Sequence, residues 1–446
     1  MNLALLLLGP GNLHKSRWYI TALGTLLFLV GLFIVIDASD TVTLITLEAF
    51  GWVLATLGLA KLAFSLLAGG GGMPSMFCFQ GILYVVLGVA IADFPQHSEN
   101  AVPWLFGLAL LLNGLYQLLS ALVIRYPNWV WFLASGIGHM IFGGLLFYDW
   151  KGAIGWVVPL FLGSGLILMG LTTLRSALRL GRYMRGHDVE RSEMAVRYFL
   201  DFHVPGRFCK QYLAFDPVAP PTVSEEHGDL LVHVWTPAIV TQSDVNANLV
   251  TRYVAARDSE GKFAVGHSAL ELSPDVYISH CDGDPTAFDT EEEVWQTLRS
   301  KDVSGVFVPS FEEEIRIRNG LLLDKHKEGA AHPAFNEELR TYVPPSGTVR
   351  FKNFSPGQLR TFWAMYSTVT DYNFTNRNCS VAVALALEVA LMGSLDTGRR
   401  FRTLISLLTN RDLWVAHFIR WKAREMVWTP GIMLEYAVAL QRVVEG

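Results

Sequence analysis

The sequence predicts a multi-domain chain: an all-α, six-helix transmembrane bundle of three repeated hairpins, followed by a soluble α+β domain. Three observations predict it. Of the 446 residues, 51% are hydrophobic and 17% charged, with mean hydropathy +0.33. The charges are sparse over residues 1–174 and ordinary in density over 175–446. Six apolar stretches, at 18–36, 43–67, 76–92, 102–124, 129–147 and 156–174, reach or approach the roughly 20 residues that a helix needs to cross a bilayer. Beyond them, short strand-like runs mix with helical ones.

The bundle is read from an internal repeat. The even stretches carry the glycine pairs Gly51 and Gly58, Gly107 and Gly114, Gly163 and Gly170, in steps of 56 residues (51 to 107 to 163). The odd ones carry Gly24 and Gly31, Gly81 and Gly88, Gly136 and Gly143, and each is followed by an aspartate: Asp37, Asp93, Asp149. Seven residues are nearly two helical turns, so each pair shares one helix face. Small residues on a face let helices approach closely in lipid, where hydrophobic drive between helices is weak. The glycines are therefore packing seams, and a homo-oligomer through them is one expectation. Lys61, Gln117 and Thr173 occupy one recurring polar position. His139 reads as a satisfied interior histidine.

Lys15, Arg17, Arg125, Arg175, Arg179, Arg182 and Arg185 lie on one side of this topology, and the acidic connections, with Lys151 as their only Lys or Arg, lie on the other. The positive-inside rule then places both termini in the cytoplasm, in a plasma membrane. Residues 175–192 read as a basic amphipathic linker helix along the anionic inner surface. The domain boundaries are thus 1–174, 175–192 and 193–446. Residues 1–10 are apolar without a preceding basic region, which reads as a short apolar start to a membrane protein. A net charge of −5 gives no case for nucleic acid. Cys78, Cys209, Cys281 and Cys379 form no CxxC pair, so neither a disulfide framework nor a zinc ribbon is expected.

In the soluble part the informative stretch is Tyr372-Asn373-Phe374-Thr375-Asn376-Arg377-Asn378-Cys379-Ser380. Asn378 is an N-cap type ahead of an apolar helix too short to span a membrane. Cys379 then falls in the first turn, where unpaired backbone N–H groups and the helix dipole favour a thiolate. A base is sought among 12 histidines. His267 lies in a strand-like run, after Gly266. If Ser273 and Pro274 form a two-residue loop, Leu272 pairs with Asp275 and His267 stands opposite His280. Opposed Cβ atoms are about 5 Å apart, close enough for His280 to orient the base. Asp282 and Glu271 are alternative orienters. Tyr372, Asn376 or Asn378 is a candidate oxyanion donor, beside the Cys379 N–H. The run 312–326 reads as charged and solvated. A zinc site from His267, His280, Cys281 or Cys379 has poor spacing, so no metal and no cofactor is expected.

Two resemblances accompany these motifs. The glycine hairpins with their aspartates resemble the HdeD family of bacterial inner-membrane proteins linked to acid resistance, over residues 15–175. The Gly266-His267-Ser268-Ala269-Leu270 run and the Asn378-Cys379-Ser380 segment resemble circularly permuted papain-like hydrolases. These include NlpC-type peptidases, lecithin:retinol acyltransferase-like enzymes and the periplasmic domain named after lacto-N-biosidase. That resemblance implies Cys379 as nucleophile, His267 as general base and His280 as orienter, in a membrane-anchored cysteine hydrolase acting on a peptide or an acyl substrate. Proteins of the lacto-N-biosidase branch are exported, whereas the charge rule places this domain inside. The alternatives are a lipid acyl hydrolase or acyltransferase with the same residues, and a catalytically inactive, stress-related membrane scaffold with a binding domain.

Overall fold

The computed structural model describes residues 3–9, 17–36, 101–124, 129–148, 163–175, 228–236, 266–282, 302–316, 345–395, 410–425 and 428–446. It also describes shorter stretches between 48 and 92, at 160, 177–178 and 196–200, and at 256–257 and 263–264, apart from scattered positions within them. Two compact units result. One holds Lys15–Val123 and Asn128–Arg182; the other holds Met1–His14, Ile124–Pro127 and Tyr183–Gly446.

The first unit is helical, with long helices at Arg17–Ile36, Ala101–Ile124 and Trp129–Tyr148. Among the described residues one helical segment, Trp129–Phe147, is long and apolar enough to cross a membrane. Large apolar side chains such as Leu26, Phe33, Leu112 and Trp131 point outward, while glycines form the contacts. Gly24 and Gly31 meet Gly170 and Gly163; Gly51 and Gly58 meet Gly88 and Gly81; Gly107 and Gly114 meet Gly143 and Gly136. A Cβ at any of these twelve glycines would lie 2.6–3.3 Å from the partner's carbonyl oxygen. The seams join each even stretch to the odd stretch that follows it, and the last returns to the first. Residues 61, 37, 93 and 149, and the linker beyond 178, lie outside the described residues. Thr173 is satisfied by the Met169 carbonyl, and His139, at the surface of this unit, is bonded through Nδ1 to the Ser135 carbonyl.

The second unit is built on a four-stranded antiparallel sheet. Its strands are β1 (Leu230–Trp235), β4 (His267–Leu272), β5 (Val276–Ile278) and β8 (Gly347–Phe351), in the order β5-β4-β1-β8. Two-stranded ribbons join β2 (Ala256–Arg257) to β3 (Phe263–Ala264), and β6 (His280–Asp282) to β7 (Gly305–Phe307). Side-chain alternation separates the faces of the large sheet. Leu230, Val232, Val234, Leu270, Leu272, Ile278, Val349 and Phe351 make one apolar face. Against the sheet pack helices Pro356–Tyr366, Cys379–Ala390 and Pro430–Glu445, with Arg411–Glu425 behind. The opposite face carries His233, Trp235, His267, Ala269 and Tyr277. Val308 and Phe311 cover its end.

Two readings change here. Leu3–Leu8 is a six-residue helix whose Leu3, Leu6 and Leu7 are fully buried in this second unit. Its Leu6 and Leu7 carbonyls accept from Gly393 N (3.1 Å) and Leu395 N (3.1 Å). Gly9, at φ 82°, comes so close to Gly393 that a Cβ would lie 2.8 Å from Gly393 Cα. Six apolar residues cannot cross a membrane, and here they complete the core of a domain encoded far downstream. The run after Val308 is not fully solvated: residues 311–316 are helical and Glu314 is 2% exposed.

Candidate active site

Cys379 opens its helix as the capping residue predicts. Asn378 Oδ1 accepts from Val381 N at 2.8 Å, and Cys379 is 5% exposed. The Asn-rich loop before it closes on itself. Asn373 Oδ1 accepts from Thr375 N, Thr375 Oγ1 and Asn376 N, and Arg377 N donates to Asn373 O at 2.8 Å. Arg377 is 2% exposed, donates to the Tyr366 and Val369 carbonyls and lies over the Tyr366 ring. A fixed cation two residues before Cys379 is one more influence favouring a thiolate.

The strand residues after His267 and the helix residues after Cys379 touch: Ser268 Oγ and Ser380 Oγ are 3.1 Å apart. This contact brings the start of β4 to the start of the Cys379 helix. Alternation turns the His267 side chain to the opposite sheet face from Ser268, where it joins a buried polar cluster.

That cluster differs from the expected one. The turn between β4 and β5 takes three residues, 273–275, with a cis Ser273-Pro274 bond, so Leu272 pairs with Val276 rather than Asp275. A slip of one residue exchanges the faces of a strand. Odd-numbered residues of the second strand therefore share the His267 face: continuing the register sets Cys281 opposite His267 and Ser279 opposite Ala269, and Ser279 is the one that reaches the ring. Its hydroxyl lies 2.8 Å from His267 Nε2 and donates to Glu314 Oε2 at 2.5 Å. A hydroxyl has one proton. Having given it to Glu314, Ser279 accepts from His267, which places a ring proton on Nε2. Glu314 Oε1 is also 3.5 Å from His267 Nε2. Glu314 and Ser279 are the members of this cluster that the sequence left unidentified. Only the alternation of Phe311, Glu314 and Ile315 in a helical period signals that 311–316 has an inner side.

His280 instead donates through Nε2 to the Thr370 carbonyl at 3.1 Å and packs on Phe307 and Tyr372. Burial, reinforced by the Arg377 charge, pushes its pKa down to about 4, against the opposing Thr370 hydrogen bond. Its Nδ1 has no hydrogen-bond partner. Of the alternative orienters, Glu271 is engaged by His233 (3.0 Å), whose proximity outweighs burial and holds its carboxyl below the usual range. Asp282 ends β6, in the ribbon beside the main sheet.

The oxyanion candidates separate as well. Asn378 spends its amide on structure, with Nδ2 donating to the Phe374 (2.7 Å) and Trp428 (2.9 Å) carbonyls. Asn376 Nδ2 donates to Thr375 Oγ1. Tyr372 is held well above its ordinary pKa, first by burial and then by the negative charge that Cys379 and Cys281 would carry as thiolates, so its hydroxyl stays protonated.

The helical unit with apolar side chains outward is of the membrane-repeat type, joined to an α+β domain. Residues 79–148 match the family described as "Short repeat of unknown function (DUF308)", the HdeD-type membrane-family domain. No curated protein and no solved structure matches the chain.

Proposed function

We propose that the chain is a membrane-anchored thiol hydrolase with Cys379 as nucleophile and His267 as general base. One observation carries it: the Ser268–Ser380 contact, which joins the start of the histidine strand to the capped start of the cysteine helix. His267 Nδ1 takes the thiol proton, and Cys379 Sγ attacks the acyl carbonyl carbon. The tetrahedral adduct, met by the Cys379 N–H and the Tyr372 hydroxyl, collapses as His267 returns the proton to the leaving amine or alkoxide. Water then cleaves the thioester. Ser279 and Glu314 hold the ring tautomer and stabilise the imidazolium that forms. A peptide or isopeptide substrate is favoured, with a lipid acyl chain second.

The membrane placement belongs to the same reading: six spans in a bacterial inner membrane, both termini cytoplasmic. The glycine seams and outward apolar side chains support the spans. The docking of Leu3–Leu8 on the C-terminal unit supports an even number of crossings, since an odd number would leave the two on opposite sides.

A second reading has its own observation. Alternation turns His267 to the far face of the sheet, as in a binding module without catalysis. A thiol-alkylating probe separates the two, with labelled sites read by peptide mass spectrometry. On the hydrolase reading Cys379 labels fast, Cys379→Ser removes that signal, and His267→Ala slows it by about 100-fold or more, the usual worth of a general base. Labelling of Cys379 that ignores His267→Ala leaves the binding module standing.

A further inference from the structure

The cluster around Ser279 has a second chemistry. His267, Cys281 and Glu314 each offer one donor atom, and these three atoms lie within 4.8 Å of one another. We propose that His267, Cys281 and Glu314 form a site for a thiophilic divalent cation of the zinc type, and that its occupancy stops His267 from acting as a base. The binding half stands by itself; the inhibitory half rests on the hydrolase reading.

The donor set points to the metal. One nitrogen, one sulfur and one carboxylate oxygen suit zinc, with bonds of about 2.0–2.3 Å, whereas calcium and magnesium take oxygen alone. Such bonds in a tetrahedron put donors roughly 3.3–3.7 Å apart. His267 Nε2 and Glu314 Oε1 already stand 3.5 Å apart. The Cys281 sulfur has to close in by about 1 Å at most to complete the set. Ser279 Oγ sits among the three, 2.8 Å from His267 Nε2, 2.5 Å from Glu314 Oε2 and 3.9 Å from Cys281 Sγ. It yields the centre by rotating, or stays as a neutral fourth ligand. His267 and Glu314 are buried, while Cys281 is partly exposed and gives the ion a side from which to enter. Thiolate and carboxylate together balance the ion's charge, and binding releases the Cys281 proton. Sequence spacing hides the site because Glu314 arrives on a helix from another part of the chain.

The inhibitory step follows from the tautomer. Without metal the ring proton is on Nε2, given to Ser279, and Nδ1 has the lone pair. A cation on Nε2 leaves the neutral ring's proton on Nδ1, where it can no longer accept the Cys379 proton.

The test uses the full-length protein in detergent, titrated with Co²⁺ and then Zn²⁺. Wild type and Cys379→Ser are expected to show a thiolate-to-cobalt charge-transfer band saturating at one equivalent. Cys281→Ala should bind at least about 10–100-fold more weakly, the loss seen even for outer-shell changes. Zn²⁺ should also slow alkylation of Cys281 in wild type, a readout that needs no variant to fold. A band that is absent, or that survives Cys281→Ala and disappears in Cys379→Ser, overturns the site. For the inhibition, Zn²⁺ should slow labelling of Cys379 at least about tenfold in wild type and leave Cys281→Ala unaffected. Metal bound at Cys281 with Cys379 labelling unchanged overturns the inhibition alone. If His267→Ala also leaves the metal-free rate unchanged, the hydrolase reading has failed rather than the site.

Discussion

Two carboxylates are buried in the same domain, and their partners make them different objects. Glu388, 3% exposed, faces a permanent cation: Arg420 donates to it through Nε at 2.5 Å and NH2 at 2.6 Å, and Tyr436 adds its hydroxyl at 2.8 Å. Burial opposes the Arg420 charge, and the attraction of Glu388 more than offsets it. Glu314, 2% exposed, has a hydroxyl and an imidazole. The first pair pins helices together and can do nothing else at ordinary pH. The second is a carboxylate beside groups that gain, lose or redirect a proton, which is the arrangement chemistry requires.

The largest expected effect breaks this comparison directly. Glu388→Gln leaves the buried Arg420 uncompensated and should lower stability by about 3–5 kcal/mol. Glu314→Gln keeps an acceptor for Ser279 and should lower it by only about 1 kcal/mol, while slowing Cys379 labelling. Urea unfolding of both variants measures the contrast. Equal losses would mean that Glu314 is as much a structural ion as Glu388.

Much of this was legible in the sequence, and the failures are specific. The Gly-x6-Gly pairs indicated helix seams because seven residues return to one helix face; which helices they join is a tertiary fact, and no local signal said that the last stretch closes on the first. Asn378 as N-cap was readable, since a cap is local chemistry, and it holds: its Oδ1 accepts from Val381 N. Of the proposed site, the sequence indicated Cys379 and His267. The expected pairing of His267 with His280 failed by one residue of turn length. The three-residue turn moves Ser279 and Cys281, rather than His280, onto the His267 face, and no sequence rule separates it from the two-residue alternative. Glu314 was missed because a charged run looks solvated unless the surface that buries one of its members is known.

The next effect sharpens the comparison through the histidines. His267 has a carboxylate for a neighbour; His280 is held by burial, with the Arg377 cation adding to it, at a pKa of about 4, below the ordinary 6.5. Its depressed folded value means the unfolded chain binds the proton first as pH falls. The stability it contributes is fully present above about pH 6.5, is lost between there and about pH 4, and amounts to about 3 kcal/mol at 1.36 kcal/mol per unit. Unfolding free energies across that window should slope upward with pH in wild type and be flatter in His280→Gln. An unchanged slope would place the acid sensitivity elsewhere.

The smallest effect tests whether the cap of the cysteine helix is separable from its other hydrogen bonds. Asn378 does three things: Oδ1 caps the helix, and Nδ2 ties the Phe374 and Trp428 carbonyls. Asn378→Ser keeps a capping oxygen and loses the two ties. Asn378→Ala loses all three. The difference between the variants isolates the cap and should be about 1 kcal/mol. The serine variant should also label at Cys379 faster than the alanine one, because the capped first turn is what presents backbone N–H groups to the thiolate. If the two variants match in stability and in labelling, the cap contributes to neither, and Asn378 matters only as a tie between the loop and Trp428.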